Sequence, residues 1–213
     1  MEKIWLQHYP AGIAAEIDQS AVGTLRDVVE DSCRDFADRT AFSNLGTELS
    51  YAQMEVLSRD LAAWLQQRAG LQKGDRIALM MPNVLQYPLA LYAALRAGFV
   101  VVNVNPMYTA DELETQLRDA GARAIIVLEN FAHTLQQVLP RLQGMLETII
   151  VTRIGDLLGP IKGRMVNLVV KTLRKGVPPY SLNDAITHNR IGIEIHDTLQ
   201  FGTTTRYSNG RLP

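Results

Sequence analysis

The chain has 213 residues, of which 47% are hydrophobic and 20% charged, and its formal net charge is −1. That length suits one good core with a small appendage, and the near-neutral charge argues against wholesale nucleic-acid binding. A single cysteine, Cys33, and four scattered histidines exclude an internal disulfide framework and a metal cluster built on Cys or His.

The first residues, "MEKIWLQHYPAG", contain no long apolar run and no signal-peptide core. No stretch is long and apolar enough to span a bilayer, which points to a cytoplasmic protein without an integral anchor. Trp5 and Tyr9 are expected to fix this arm by burial. The first helical pattern is "TLRDVVEDSCRDFADR", with Leu25, Val28, Val29, Ser32, Cys33 and Phe36 on one face. Cys33 reads there as a small core residue. "AFSNLGTELSY" follows as two short strands around a turn at Asn44 to Gly46. Ser50 and Gln53 form a capping box that opens a helix with Met54, Leu57, Leu61, Ala62 and Leu65 inward.

A regular rhythm begins at Gly74. Apolar strands start near Ile77, Val100, Ala124 and Thr148, and each successive pair encloses a helix. The spacing is that of a right-handed βαβ crossover. The strands are continuous apolar runs, as expected where helices cover both faces of a parallel sheet. The fold class is therefore α/β, a doubly wound parallel sheet over about residues 70–152. Residues 1–69 are expected to supply helices and a hairpin packed on that core. Thr109 and Glu112 form a second capping box, and Asn105–Pro106 fixes a turn. Asn83 follows a strand end; it either faces a ligand at the carboxyl edge or caps the next helix. His133 opens a helix with no carboxylate or serine partner nearby in sequence and is not read as catalytic.

Residues 153–199 form a basic amphipathic extension. No acidic residue occurs between Asp156 and Asp184, while Lys162, Arg164, Lys171, Arg174 and Lys175 are basic. Met165, Val166, Leu168, Val169, Val170 and Leu173 give the same stretch an apolar side. Two readings stand: a surface helix packed on the sheet, or an interfacial helix whose basic residues face anionic headgroups.

The segment "GDRIALMMPNVLQYPLALYAALRAGFVVVNVNPMYTADELETQLRDAGARAIIV" resembles the N-terminal domain of adenylate-forming ligases, the acyl-CoA synthetase family. Runs such as "WLQHYPAGI", "LSYAQM", "AGFVVVNVNPMYT" and "NFAHTL" extend the resemblance, within that family, to the bacterial long-chain fatty acid–CoA ligases. The resemblance covers nearly the whole chain to about Phe201. It implies ATP and magnesium as cofactors, and a long-chain fatty acid and coenzyme A as partners. It also implies an acyl-adenylate that coenzyme A converts to a thioester.

The family holds the nucleotide phosphates partly with a loop of the form G-G-T-T-G-x-x-K-G, in which bare backbone, hydroxyls and a lysine meet the negative charge. In the tail, residues 200–213, the resemblance aligns Gly202, Thr204, Thr205 and Gly210 with that loop. Thr203 and Arg206 replace glycines and Asn209 replaces the lysine. The loop is thus degraded, or the tail is a frayed end. No catalytic residue and no metal ligand is assigned. The expectation is an N-terminal fragment of a ligase, inactive alone; the alternative is a non-catalytic module that binds a membrane or a partner.

Overall fold

The computed structural model describes residues 3–18, 23–142, 144–182 and, as backbone, 191–194. Helix α1 (Leu25–Asp35) starts at a capping box formed by Thr24 and Asp27. Strands β1 (Thr40–Asn44) and β2 (Thr47–Ser50) form an antiparallel hairpin. Helix α2 (Tyr51–Gln67) begins at the Ser50–Gln53 capping box expected from the sequence. Strand β3 (Arg76–Met80) leads through α3 (Gln86–Ala97) to β4 (Val100–Asn103). Helix α4 (Ala110–Ala120), capped by Thr109 and Glu112, leads to β5 (Ala124–Leu128). Helix α5 (Ala132–Val138) leads to β6 (Thr148–Thr152). Helix α6 (Pro160–Leu168) runs on into a π-helical turn, Val169–Leu173.

The sheet order is β4-β3-β5-β6-β7, and all pairings are parallel. Strand β7 (Ile191–Glu194) is a fifth strand beyond the four legible in the sequence. Alternate residues of the strands feed two separate cores. Ile77, Leu79, Ile126 and Ile150 pack with α2 and α3 on one face. Ala78, Met80, Ile125, Val127 and Ile149 pack with α4 and α5 on the other. Both faces are covered, which is why the strands read as unbroken apolar runs.

Three expectations are corrected. Trp5 and Tyr9 are not buried; they are 49% and 43% exposed, in an arm that includes a short 3-10 helix (Ile4–His8) with no buried residue. On α1 only Val29 and Cys33 are buried, while Leu25, Val28 and Phe36 face outward, because α1 meets the body along a narrow seam. Asn83 is not the cap of α3: the N-cap position is Leu85, and no side chain caps that helix.

Candidate functional site

In a doubly wound sheet, ligands gather outside the carboxyl ends of strands whose crossovers leave in opposite directions. Here those strands are β3 and β5. The chain leaves β3 toward β4 by way of α3, then returns past β3 to reach β5 on its other side.

The chain's own polar groups bridge this edge. The Gln86 amide, 1% exposed, donates to the Arg153 carbonyl at 2.7 Å. The Arg153 guanidinium faces the buried Glu129 carboxylate at 3.4 Å. Tyr180 donates its hydroxyl to the other oxygen of Glu129 at 3.1 Å, and Asn130 donates to the Gly176 carbonyl at 2.6 Å. These bonds join the ends of β5 and β6 to α3 and to the segment after the π-helical turn. Buried polar groups of this kind are stable only when paired, and each of them is.

Beside this network lies a cavity of about 410 Å³ between the hairpin and the start of α3. Phe42, Val84, Leu85, Leu91 and Tyr92 give it apolar walls, and Asn44 stands among its polar residues. The Phe42 and Tyr92 rings meet edge to face with centroids 5.9 Å apart. Burial pushes the Tyr92 hydroxyl above its ordinary pKa. Asn83 is exposed and lines the cavity, and its carbonyl accepts from the Asn44 amide at 3.2 Å.

Asn105 serves its turn as expected: its side-chain oxygen accepts from the Met107 N–H at 3.0 Å. Among the described residues, the hydrogen-bond partner of His133 is the Thr134 hydroxyl, at 3.3 Å from its Nε2. Cys33 is buried, and desolvation, reinforced by Glu55, raises its thiol pKa. Among the described residues, no group of three or more His, Cys, Asp or Glu side chains gathers as a metal site. What these residues offer is a cavity with apolar walls and a sheet edge cross-linked by hydrogen bonds and an ion pair. Sequence reasoning missed Gln86, Glu129, Arg153 and Tyr180, which lie far apart in the chain and carry no local motif.

Of the basic residues, the exposed Lys162 donates to the Leu45 carbonyl and, at 3.3 Å, to the Thr47 hydroxyl, tying α6 to the hairpin. Arg164, Lys171, Arg174 and Lys175 are exposed. Gly202, Thr204, Thr205 and Gly210 lie outside the described residues.

A parallel sheet with helices on both faces, with a cavity between the hairpin and the start of α3, defines a doubly wound α/β body. The sequence matches the AMP-binding enzyme family over residues 29–179, and the chain belongs to that family. It is 51% identical over 191 residues to a long-chain-fatty-acid–CoA ligase of Yersinia pestis; the match covers 90% of this chain and 34% of that protein. The chain thus spans about a third of the length of the curated relatives it matches. A crystal structure of a putative long-chain-fatty-acid CoA ligase from Rhodopseudomonas palustris superposes with a TM-score of 0.57 at 28% identity, covering 61% of this chain and 32% of that one. The adenylation domain of a carboxylic acid reductase from Segniliparus rugosus shares the fold, with a TM-score of 0.68 at 16% identity over 92% of this chain and 32% of that one. Among the described residues, no helix is long and apolar enough to cross a membrane.

Proposed function

We propose that this chain forms the N-terminal α/β body of an ATP-dependent long-chain fatty acid–CoA ligase. The observation that carries the reading is the 51% identity over 191 residues to the Yersinia pestis ligase. The two-faced parallel sheet is the body such an enzyme requires. The substrates are a long-chain fatty acid and coenzyme A. The fatty acid carboxylate would attack the α-phosphate of ATP, bound with magnesium, forming the acyl-adenylate and releasing pyrophosphate; the coenzyme A thiol would then displace AMP to give the thioester.

Within this chain, the part assigned to the described residues is to hold the sheet edge rigid and to shape the cavity between the hairpin and α3. Gly202, Thr204, Thr205 and Gly210 are assigned to the phosphate side. Their setting is weakened by Thr203, Arg206 and Asn209. Branched or long side chains crowd a backbone that must approach phosphate closely, and asparagine brings no charge. The 213-residue chain by itself is therefore expected to give little ligase turnover. A coupled AMP-release assay with oleate, ATP, magnesium and coenzyme A tests this. Turnover comparable to that of a ligase of the relatives' full length contradicts it.

A further inference from the structure

We propose that Glu129 and Tyr180 are positioning residues for the ATP half of the reaction. Together they fix segment 176–182, and with it the chain's approach to β7, after which the residues assigned to the phosphate side follow in sequence. The inference rests on the ligase reading above.

Segment 176–182 lies between the π-helical turn and β7 and forms neither helix nor strand. Three hydrogen bonds hold it to the end of β5 and to α5: Asn130 donates to the Gly176 carbonyl at 2.6 Å, the Tyr180 hydroxyl to Glu129 at 3.1 Å, and the Ser181 N–H to the Gln136 side-chain oxygen at 2.9 Å. Leu182, 7% exposed, enters the core shared with α4 and α5, and Tyr180 packs against the same cluster. Pro178 and Pro179 stand between these bonds with φ fixed by their rings, so the segment has little slack.

Glu129 is the hub. It is 6% exposed. One of its oxygens takes the Tyr180 hydroxyl, and the other faces the Arg153 guanidinium at 3.4 Å. The Arg153 carbonyl in turn accepts from Gln86 at the start of α3. A buried carboxylate is stable only when its oxygens are paired, so freeing the segment leaves Glu129 short of a partner. One carboxylate thereby couples the segment to the ends of β5 and β6 and to α3.

Strand β7 needs this restraint because, among the described residues, it is an edge strand with β6 as its one neighbour. It lies parallel to β6 with Glu194 opposite Val151, so the chain leaves β7 at the same carboxyl edge as Glu129 and Arg153. Gly202, Thr204, Thr205 and Gly210 come next in the sequence. Groups that meet phosphate act through placement, and an error of about 1 Å can cost about 100-fold in rate.

Hydrogen exchange on the 213-residue chain and kinetics on a chimera test the proposal. The chimera joins the matched residues of this chain to the rest of the Yersinia pestis ligase. Tyr180→Phe removes only the hydroxyl. In the chain it is expected to speed amide exchange in segment 176–182 and β7 and to leave β3 and β5 unchanged. In the chimera it is expected to raise KM for ATP about tenfold, the worth of a hydrogen bond to a charged group, with KM for oleate unchanged. Glu129→Ala is expected to act in the same direction and more strongly, and Glu129→Gln, which keeps an acceptor for Tyr180, to recover part of the loss. A purely structural role would lower the active fraction, and hence kcat, without moving either KM. If Glu129→Ala does not fold, Tyr180→Phe decides. An active chimera whose KM for ATP ignores Tyr180→Phe overturns the proposal and leaves the ligase reading standing, as does exchange in β7 that ignores it. A chimera inactive before any substitution overturns the ligase reading and this proposal with it.

Discussion

Gly163 on α6 lies so close to Gly155 in the preceding loop that a Cβ at position 163 would stand 2.2 Å from the Gly155 carbonyl oxygen. The contact is reciprocal, and the Gly155 N–H is held by Asn167. It seats α6 against the end of β6 and so decides which side of the helix is left outward.

Gly163→Ala sets two effects against each other. Alanine favours the helix by about 1 kcal/mol relative to glycine. Overpacking against backbone that has no rotamer to change costs about 1–3 kcal/mol. The clash wins, and urea unfolding is expected to show a net loss of stability. A gain would mean that α6 is not seated on Gly155.

Arg96 is 2% exposed, yet it joins three helices. Its Nε donates to the Ser58 hydroxyl at 3.0 Å, and its other nitrogens meet Glu55 and, at 3.4 Å, Glu30. Arg96→Met removes the cation and leaves two carboxylates facing a buried space. Breaking such a pair costs about 3 kcal/mol, at the low end of the usual range because Glu30 and Glu55 are partly solvated. Chemical denaturation is the check, and a loss well under 1 kcal/mol would show that the cation does not hold α1 in place.

Asp60 is 7% exposed, and desolvation raises its carboxyl pKa while Arg59 opposes the shift. A raised folded-state pKa favours folding below the unfolded value and is lost as pH rises through the folded one. At neutral pH the charged carboxylate is thus a net cost. Asp60→Asn is expected to raise the urea midpoint at neutral pH and to lose that advantage below the ordinary carboxyl range. An equal gain at both pH values would contradict the account.

Cys33 follows the same sign at higher pH. Burial raises its thiol pKa, so its contribution is present below the ordinary thiol value and fades as pH rises through the folded one. Alkylation by iodoacetamide at neutral pH is expected to be slow in the folded chain and fast in urea. Rapid modification without denaturant would place Cys33 outside the core.

Local signals in the sequence were reliable guides to the fold. The capping boxes at Ser50 and Thr109, the left-handed Gly98 that ends α3, and the four apolar strands all depend on neighbours within a few residues. Features set by distant partners were hidden. The spacing on α1 suggests a broad apolar face, but Arg96 draws Glu30 inward and the seam narrows to Val29 and Cys33. Asn83 has the residue type of a cap, but its carbonyl is taken by Asn44 and the N-cap falls two residues later, at Leu85. The Gln86–Arg153 and Glu129–Tyr180 bonds span 67 and 51 residues, and no periodicity reports them. The apolar side of the basic stretch was legible, but Val166 turns toward the core and the π-helical turn leaves no compositional mark.

The ligase reading is tested most directly by a chimera in which the matched residues of this chain replace the corresponding third of the Yersinia pestis long-chain-fatty-acid–CoA ligase. Oleoyl-CoA formation by the chimera is measured beside the unmodified ligase and this chain alone. The account predicts a chimera within about tenfold of the unmodified enzyme, a difference of about 1.4 kcal/mol in the barrier. A chimera that folds cooperatively but makes no more oleoyl-CoA than the isolated chain would contradict it.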